Sequence, residues 1–188
     1  MTNLQNYEAK QAARAFAAKQ LQQANPHLIA NDGNSLVIAA KNIRIELKRA
    51  FPAVAFRVTT KRFSMGNSIS VKWIDGPTSE QVDRIINKYS AGSFDGMTDC
   101  YNYESNAWTE AFGSGKYVSS YRDFSDKMLA AVIGRVCRNL GGVDRSIEQA
   151  IDDWKKGNLW NVRTSGGCDL SREINVALSR HTYCVAKA

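Results

Sequence analysis

Residues 51–78 read FPAVAFRVTTKRFSMGNSISVKWIDGPT, and apolar side chains occupy every second position in two parts of this stretch. The alternating apolar residues are Val54, Phe56, Val58, Ile69, Val71 and Trp73. A period of two is typical of strands that bury one face, so we predict an antiparallel hairpin. The connection, roughly residues 61–67, is too long for a two-residue turn and predicts a longer loop at the tip.

The polar positions of this hairpin are candidates for a binding surface. Strand alternation places Arg57, Thr59, Lys61, Ser70 and Lys72 on one face, with Arg62 and Phe63 at the tip. Cations can neutralise phosphates, hydroxyl groups can form hydrogen bonds, and an exposed ring can stack on a base. An ordinary solvated strand face has a similar composition, so that interpretation stays open beside the functional one.

Positive charge is concentrated in the same region. The formal net charge is +7, and residues 41–72 alone sum to +7, while the other segments cancel one another. A locally basic surface attracts the phosphates of nucleic acid or the side chains of an acidic protein. The sign of the charge excludes a protein that mimics DNA, which would be acidic.

A second basic group precedes the hairpin. Ser35 is a suitable N-cap for a helix that ends near Ala50, and the apolar positions of this segment recur at helical spacing. On another side of the same helix, Lys41, Arg44 and Lys48 form a basic stripe. This stripe is the second candidate surface for nucleic acid or a protein partner.

Several motifs in and after the hairpin carry a family resemblance. They are RFSMGNSISVKWIDGPT at 62–78, the pair Gln81-Val82, FDGMTD at 94–99 and YNY at 101–103. These motifs resemble the large polyvalent protein-associated domain family, twenty-ninth type, over about residues 43–103. The resemblance implies a protein of phages or conjugative elements that helps incoming DNA to cope with host defences. It carries over no catalytic residue.

The segments outside the hairpin are predicted to be mostly helical. A helix over residues 4–24 would lie on the domain surface or form an arm that orders against a partner. Another helix follows Thr78, and residues 91–115 are typical of a long loop with interspersed aromatic residues. Residues 116–124 predict a third strand, which has Tyr117, Ser119 and Tyr121 on one side. Three further helices follow, with N-caps at Ser125, at Asp144, and at Asp169 or Ser171.

This order of elements predicts an α+β fold. Two or three antiparallel strands would form a small sheet that helices cover on one face, with a helical C-terminal half. Three parts are expected: an N-terminal helix or arm at 1–25, an α+β domain at 26–124 and a helical part at 125–188. The last two should pack together as one compact unit.

The sequence predicts no catalytic centre. The two histidines and the four cysteines lack the close spacing of a metal site or a redox pair. Asp75, Asp95, Asp99 and Asp123 could converge on a divalent cation, but Asp75 and Asp95 each precede a glycine, which is ordinary in turns. Gly113-Ser-Gly-Lys116 lacks the other residues of a phosphate-binding loop. We therefore expect no catalytic residue, no metal and no cofactor.

Three functional hypotheses follow. The first is a non-enzymatic counter-defence accessory protein, of the anti-restriction or anti-CRISPR type, that binds nucleic acid or a host defence protein complex. The second is a small enzyme that acts on nucleic acid or nucleotides, with residues 94–103 lining its pocket. The third is a protein-interaction module within a larger complex, docked through the first helix. The polar N-terminus and the lack of a long apolar run predict a cytoplasmic location in the bacterial host and no membrane partner.

Overall fold

The structure, a computed structural model, describes residues 3–104, 106–140, 146–162, 167 and 169–181. The chain divides into two compact units. The first unit consists of Met1–Lys72 and Glu80–Tyr121, and the second of Trp73–Ser79 and Arg122–Ala188. The three-part division at residues 25 and 124 stays a prediction beside this grouping.

The described residues form seven α-helices, five strands and two short 3-10 turns. The strands are β1 Arg57–Phe63, β2 Gly66–Ile74, β3 Gly92–Asp95, β4 Cys100–Tyr103 and β5 Tyr117–Asp123. The helices are α1 Asn3–Ala24, α2 Ser35–Ala50, α3 Ser79–Ile86, α4 Ala107–Phe112, α5 Asp126–Leu140, α6 Ile147–Lys155 and α7 Leu170–Arg180. The 3-10 turns are Asn87–Tyr89 and Asn158–Asn161.

The predicted α+β class is confirmed. β1 and β2 pair antiparallel, β5 lies on the other side of β2, and β3 and β4 form a separate antiparallel pair. The third strand predicted at 116–124 is β5. α2 packs against β1, and the side chains of Val58, Ile69 and Val71 are buried. α2 therefore covers the sheet at β1, on the face that carries these buried side chains.

The base of the hairpin differs from the prediction. β1 begins at Arg57 rather than at Val54. The Val54 N–H donates to the Phe51 carbonyl (3.1 Å), which places Val54 in a turn that follows α2. The alternation of apolar residues therefore starts before the strand does.

The predicted loop over residues 61–67 is wrong. Strand pairing continues to Phe63 opposite Gly66, so only Ser64 and Met65 form the turn. Gly66 has a φ of 157°, and a Cβ on it would lie 2.7 Å from Lys116 Cδ. A glycine at this position lets the second strand begin directly after the turn, beneath the lysine side chain.

The prediction of a loop over residues 91–115 is also wrong, because β3, β4 and α4 occupy this segment. The Asp95 carboxylate closes the hairpin turn by accepting hydrogen bonds from the Met97 N–H and the Thr98 hydroxyl, both at 2.9 Å. A capping box that begins at Asn106 starts α4. The polar residues that indicated a loop are thus the turn and the cap of short elements.

The second unit is built around helices α5, α6 and α7. Its buried core consists of Met128, Leu129, Val132, Ile133, Val136, Ala150, Leu159, Leu170, Ile174 and Leu178. Ser125 and Asp169 accept backbone N–H groups at the starts of α5 and α7, at 3.2 and 2.6 Å, as predicted. Ser146 caps α6 in place of the predicted Asp144, because it forms a capping box with Gln149. Asp144 itself lies outside the described residues.

Arg122 connects distant parts of the second unit. Its Nε donates to the Asp75 carbonyl (3.1 Å), and its two Nη atoms donate to the carbonyls of Gly76 (2.9 Å), Leu178 (3.0 Å) and His181 (2.8 Å). A guanidinium has five N–H donors in a planar arrangement, so it can satisfy several carbonyls at once. One side chain therefore joins residues 75–76 to the end of α7.

Asn42 has a comparable role in the first unit. Its side chain is fully buried. Its Nδ2 donates to the carbonyls of Ile29 (2.8 Å) and Phe112 (3.1 Å), and its Oδ1 accepts from the Ile29 N–H (2.8 Å). This amide joins α2 both to the loop after α1 and to the end of α4.

α1 lies on the surface of the first unit, packed against α4. Ala18 is buried, and Gln22 Nε2 donates to the Ala111 carbonyl in α4 (3.1 Å). Phe16 of the same helix is 65% exposed, so its ring faces solvent. In the described residues, no helix is both long enough and apolar enough to cross a membrane.

Asn42→Ala should lower the free energy of unfolding by about 3 kcal/mol, because three backbone groups would lose their buried partner. Urea denaturation at neutral pH measures this change. Asn139→Ala is the control: Asn139 is an exposed residue of α5, and its loss should change stability by less than about 0.5 kcal/mol. A loss of less than about 1 kcal/mol for Asn42→Ala would contradict the role assigned to the amide.

Candidate nucleic-acid interface

The exposed face of the β1–β2 hairpin carries the predicted polar set. The strand register pairs Arg57 with Lys72, Thr59 with Ser70, and Lys61 with Ser68. Directly opposed residues of an antiparallel pair project from the same face. The prediction that Arg57, Thr59, Lys61, Ser70 and Lys72 share one face is therefore confirmed. We call this surface the open face.

Arg62 does not belong to the open face. It alternates with Lys61 and Phe63 along β1 and is paired with Asn67, so it projects from the other side. Its Nη2 donates to Asn34 Oδ1 in the loop before α2 (3.1 Å). The tip position of Arg62 was predicted, but its bond to this loop could not be read from the sequence.

Aromatic rings on β5 extend the open face beyond the hairpin. Phe63 stacks on Tyr117, with ring centroids 6.2 Å apart and an interplanar angle of 22°. Lys72 Nζ lies 5.4 Å from the centroid of the Tyr121 ring. The contacts of Tyr117 and Tyr121 place both rings on the same face as the cations. The sequence analysis put Tyr117 and Tyr121 on one side of the third strand, but it did not include them in the site.

Lys116 fixes the edge of this surface. Its backbone N–H donates to Asn67 Oδ1 (2.8 Å), and its Nζ donates to the Met65 carbonyl (3.0 Å). The same Nζ lies 5.0 Å from the Tyr101 ring and 5.4 Å from both the Tyr103 and the Tyr117 rings. A hydrogen bond with Tyr103 is the main cause that raises the pKa of Lys116. This lysine thus serves as a contact within the first unit, and Gly113-Ser-Gly-Lys116 is an ordered connection.

The basic stripe of α2 is only partly available to a ligand. Arg44 Nη2 donates to the Val58 carbonyl of β1 (2.5 Å), and its Nη1 donates to the Ala40 carbonyl (3.4 Å). Lys41 and Lys48 are exposed. The Arg44 guanidinium therefore binds the backbone of an edge strand, while two cations of the stripe face solvent.

Two of the four aspartates predicted as possible metal ligands, Asp75 and Asp95, have other partners. The Asp95 carboxylate closes the β3–β4 turn, and the Met97 N–H is the first cause that lowers its pKa. The Asp75 carboxylate accepts from the Ser125 N–H (2.9 Å) in the second unit. Within the described residues, no group of three or more His, Cys, Asp or Glu side chains is placed to hold a metal ion.

The segment proposed as an enzyme pocket is an exposed hairpin. Phe94 is 55% and Met97 97% exposed at its far end. A cleft of about 740 Å³ lies beside the near end, where Tyr103 and Glu104 face Glu8 and Arg14 of α1. The acidic and basic groups of this cleft come from several elements and form no recognised catalytic arrangement.

A partly buried polar cluster in the first unit was missed by the sequence analysis. The Glu46 carboxylate accepts from Lys88 Nζ and from the Tyr89 hydroxyl, each at 2.6 Å. Lys88 Nζ also lies 4.1 Å from the Trp108 ring centroid. Burial is the main cause that raises the pKa of Tyr89, and Glu46 raises it further. A hydroxyl that keeps its proton and a carboxylate that is already paired indicate a stabilising cluster rather than a proton-transfer site.

A family model supports the resemblance found in the sequence. The model described as large polyvalent protein associated domain 29 matches residues 35–125. The match runs from the start of α2 to just beyond β5 and includes every residue of the open face. It associates this part of the chain with proteins of phages and mobile elements. The comparisons with curated proteins and with solved structures found no match.

Tyr89→Phe should reduce the loss of stability at alkaline pH. A raised tyrosine pKa stabilises the fold fully below the ordinary tyrosine value of about 10, and this contribution is lost as the pH rises above it, by about 1.4 kcal/mol per pH unit. Urea denaturation between about pH 8 and pH 11 measures the slope. The non-titrating control Trp160→Phe changes a ring that is 69% exposed and should retain the slope of the unaltered protein. If Tyr89→Phe loses stability with pH as steeply as the unaltered protein, the Tyr89 hydroxyl is not the group that causes the alkaline loss.

Proposed function

We propose that this protein is a non-enzymatic, nucleic-acid-binding accessory protein of a phage or mobile element, and that it counteracts host defence systems. The open face is its binding surface. The observation that carries the proposal is the group of cations on this face, set among hydroxyl groups and lying outside the sheet core.

The arrangement of the cations favours an anionic ligand. Arg57 and Lys72 are direct cross-strand partners, and like charges in this position destabilise a strand pair. In the described part of the chain, no carboxylate forms an ion pair with Arg57, Lys61 or Lys72. A phosphate backbone would relieve this repulsion, and the release of its counterions would add free energy of binding.

The counter-defence role is supported by the genetic association of the matched family. The chain resembles a domain of large polyvalent proteins over residues 35–125, and such proteins are expected to help incoming DNA in the host. A basic protein can act there by covering DNA or by occupying a nucleoprotein complex of the host. The polar contacts found for Asp75, Asp95 and Glu46 favour a binding protein over an enzyme.

Neutralising the open face should weaken nucleic-acid binding and flatten its salt dependence. Arg57→Gln, Lys61→Gln and Lys72→Gln together remove up to three phosphate contacts, so the slope of log affinity against log salt should fall by about two units. Fluorescence anisotropy with labelled oligonucleotides, titrated at several salt concentrations, measures both quantities.

The matched control is the triple variant Lys19→Gln, Lys41→Gln and Lys48→Gln, which changes the net charge equally at exposed positions outside the open face. It should change affinity and slope much less. If the control variant loses as much affinity as the open-face variant, binding follows net charge or includes the basic stripe of α2, and the assignment of the site to the open face is wrong.

Counter-defence activity should depend on the same cations. A plasmid that expresses the protein should raise the efficiency of phage plating on a restricting host, and the open-face variant should lose this effect while the control variant retains it. Circular dichroism of both purified variants confirms that they are folded. Equal protection by both variants would separate counter-defence from nucleic-acid binding and refute this part of the proposal.

A further inference from the structure

The open face carries more exposed aromatic surface than the binding of phosphates requires. Phe63, Tyr117 and Tyr121 are 41%, 37% and 50% exposed. Exposed aromatic surface grouped on one face of a soluble protein is a mark of an interaction site. Cations alone would be enough to bind a ligand that contacts the protein only through its phosphates. The exposed rings therefore need a separate explanation.

The rings occupy two positions, and each has a cation beside it. Phe63 and Tyr117 form one stacked pair next to the turn, with Lys61 two residues before Phe63 on the same face of β1. Tyr121 forms the second position, with Lys72 Nζ 5.4 Å from its ring centroid. Tyr121 lies four positions after Tyr117 along β5, a rise of about 13 Å. The alternation of ring and cation matches a ligand that repeats bases and phosphates.

The first ring position is held in place before any ligand binds. Tyr101 in β4 contacts Tyr117 with a centroid separation of 5.4 Å, and its hydroxyl donates to the Lys116 carbonyl. Lys116 Nζ in turn binds the Met65 carbonyl in the hairpin turn. A ring that is already fixed loses little conformational entropy on binding, which favours affinity.

We infer that the open face binds single-stranded nucleic acid, DNA or RNA, with unpaired bases stacked on the Phe63–Tyr117 pair and on Tyr121 and phosphates bound by Arg57, Lys61 and Lys72. This inference rests on the proposed function and specifies its ligand. In a duplex the faces of the bases are already stacked on one another, so exposed protein rings can stack only on bases that are unpaired.

The test compares three labelled ligands of equal length by fluorescence anisotropy: a single DNA strand, the same DNA as a duplex, and a single RNA strand. The unaltered protein should bind the single strands at least about tenfold more tightly than the duplex. Tyr121→Leu should weaken single-strand binding about tenfold, since one stacked base contributes roughly that factor. Its salt slope should stay unchanged, because no charge is removed.

Two variants control for the fold and for general surface effects. Tyr121→Phe keeps the ring and should bind almost as the unaltered protein does. Tyr7→Leu removes a ring that is 60% exposed on α1 and should have no effect. Phe63→Leu tests the first ring position, which also covers the case that Tyr121→Leu fails to fold by circular dichroism, and it should weaken single-strand binding several-fold.

The outcomes separate the inference from the proposed function. Equal or tighter binding of the duplex overturns the inference. Single-strand binding that is unchanged in both Tyr121→Leu and Phe63→Leu also overturns it. The proposed function survives either result if the open-face charge variant still loses affinity. Failure of all three ligands to bind overturns both. Preference for one single strand over the other supports the inference and identifies the source of the ligand.

Discussion

The buried amide of Asn42 is the contact on which the geometry of the first unit depends. A side-chain amide in a core must satisfy its donors and its acceptor, and here both partner segments come from other parts of the chain. This requirement fixes the rotation of α2 about its axis, because the amide would lose its partners if the helix turned. With α2 held in this orientation, its apolar side covers one face of the sheet. The opposite face remains open, with its cations and rings exposed.

Much of the central hairpin could be predicted because the physics involved is local. A period of two assigns side chains to faces whatever the rest of the fold does, so the polar set on the open face followed from alternation alone. The ends of the strands were harder to predict, because they depend on contacts with distant residues. β1 starts late because α2 ends in a turn at Val54, and the tip is tight because Lys116, fifty residues away, lies over Gly66. The β3–β4 hairpin was missed since polar and aromatic residues alternate there without a buried side.

The candidate site could also be predicted only in part, because its contacts involve residues that are distant in sequence. Sequence locates charge, but it does not reveal which cations already have partners. Arg44 and Arg62 belong to the basic segment and yet bind the Val58 carbonyl and the Asn34 side chain. Conversely, Tyr117 and Tyr121 lie far from the hairpin in sequence and reach it only because β5 pairs with β2. Which strands pair depends on contacts between residues that are distant in sequence, and the alternation of side chains within one strand does not determine it.

The hydrogen bonds of Arg122 impose an order on how the chain completes its fold during synthesis. Residues 73–79 leave the ribosome early, but two of the carbonyls that bind Arg122 belong to Leu178 and His181. At roughly 5–20 residues per second, translation of residues 122–181 takes several seconds after the first unit has been made. During this interval the first unit has all of its own residues, whereas the segment 73–79 still lacks the helices of the second unit. A nascent chain therefore has all the residues of its first unit, including those of the open face, before the core of the second unit can form.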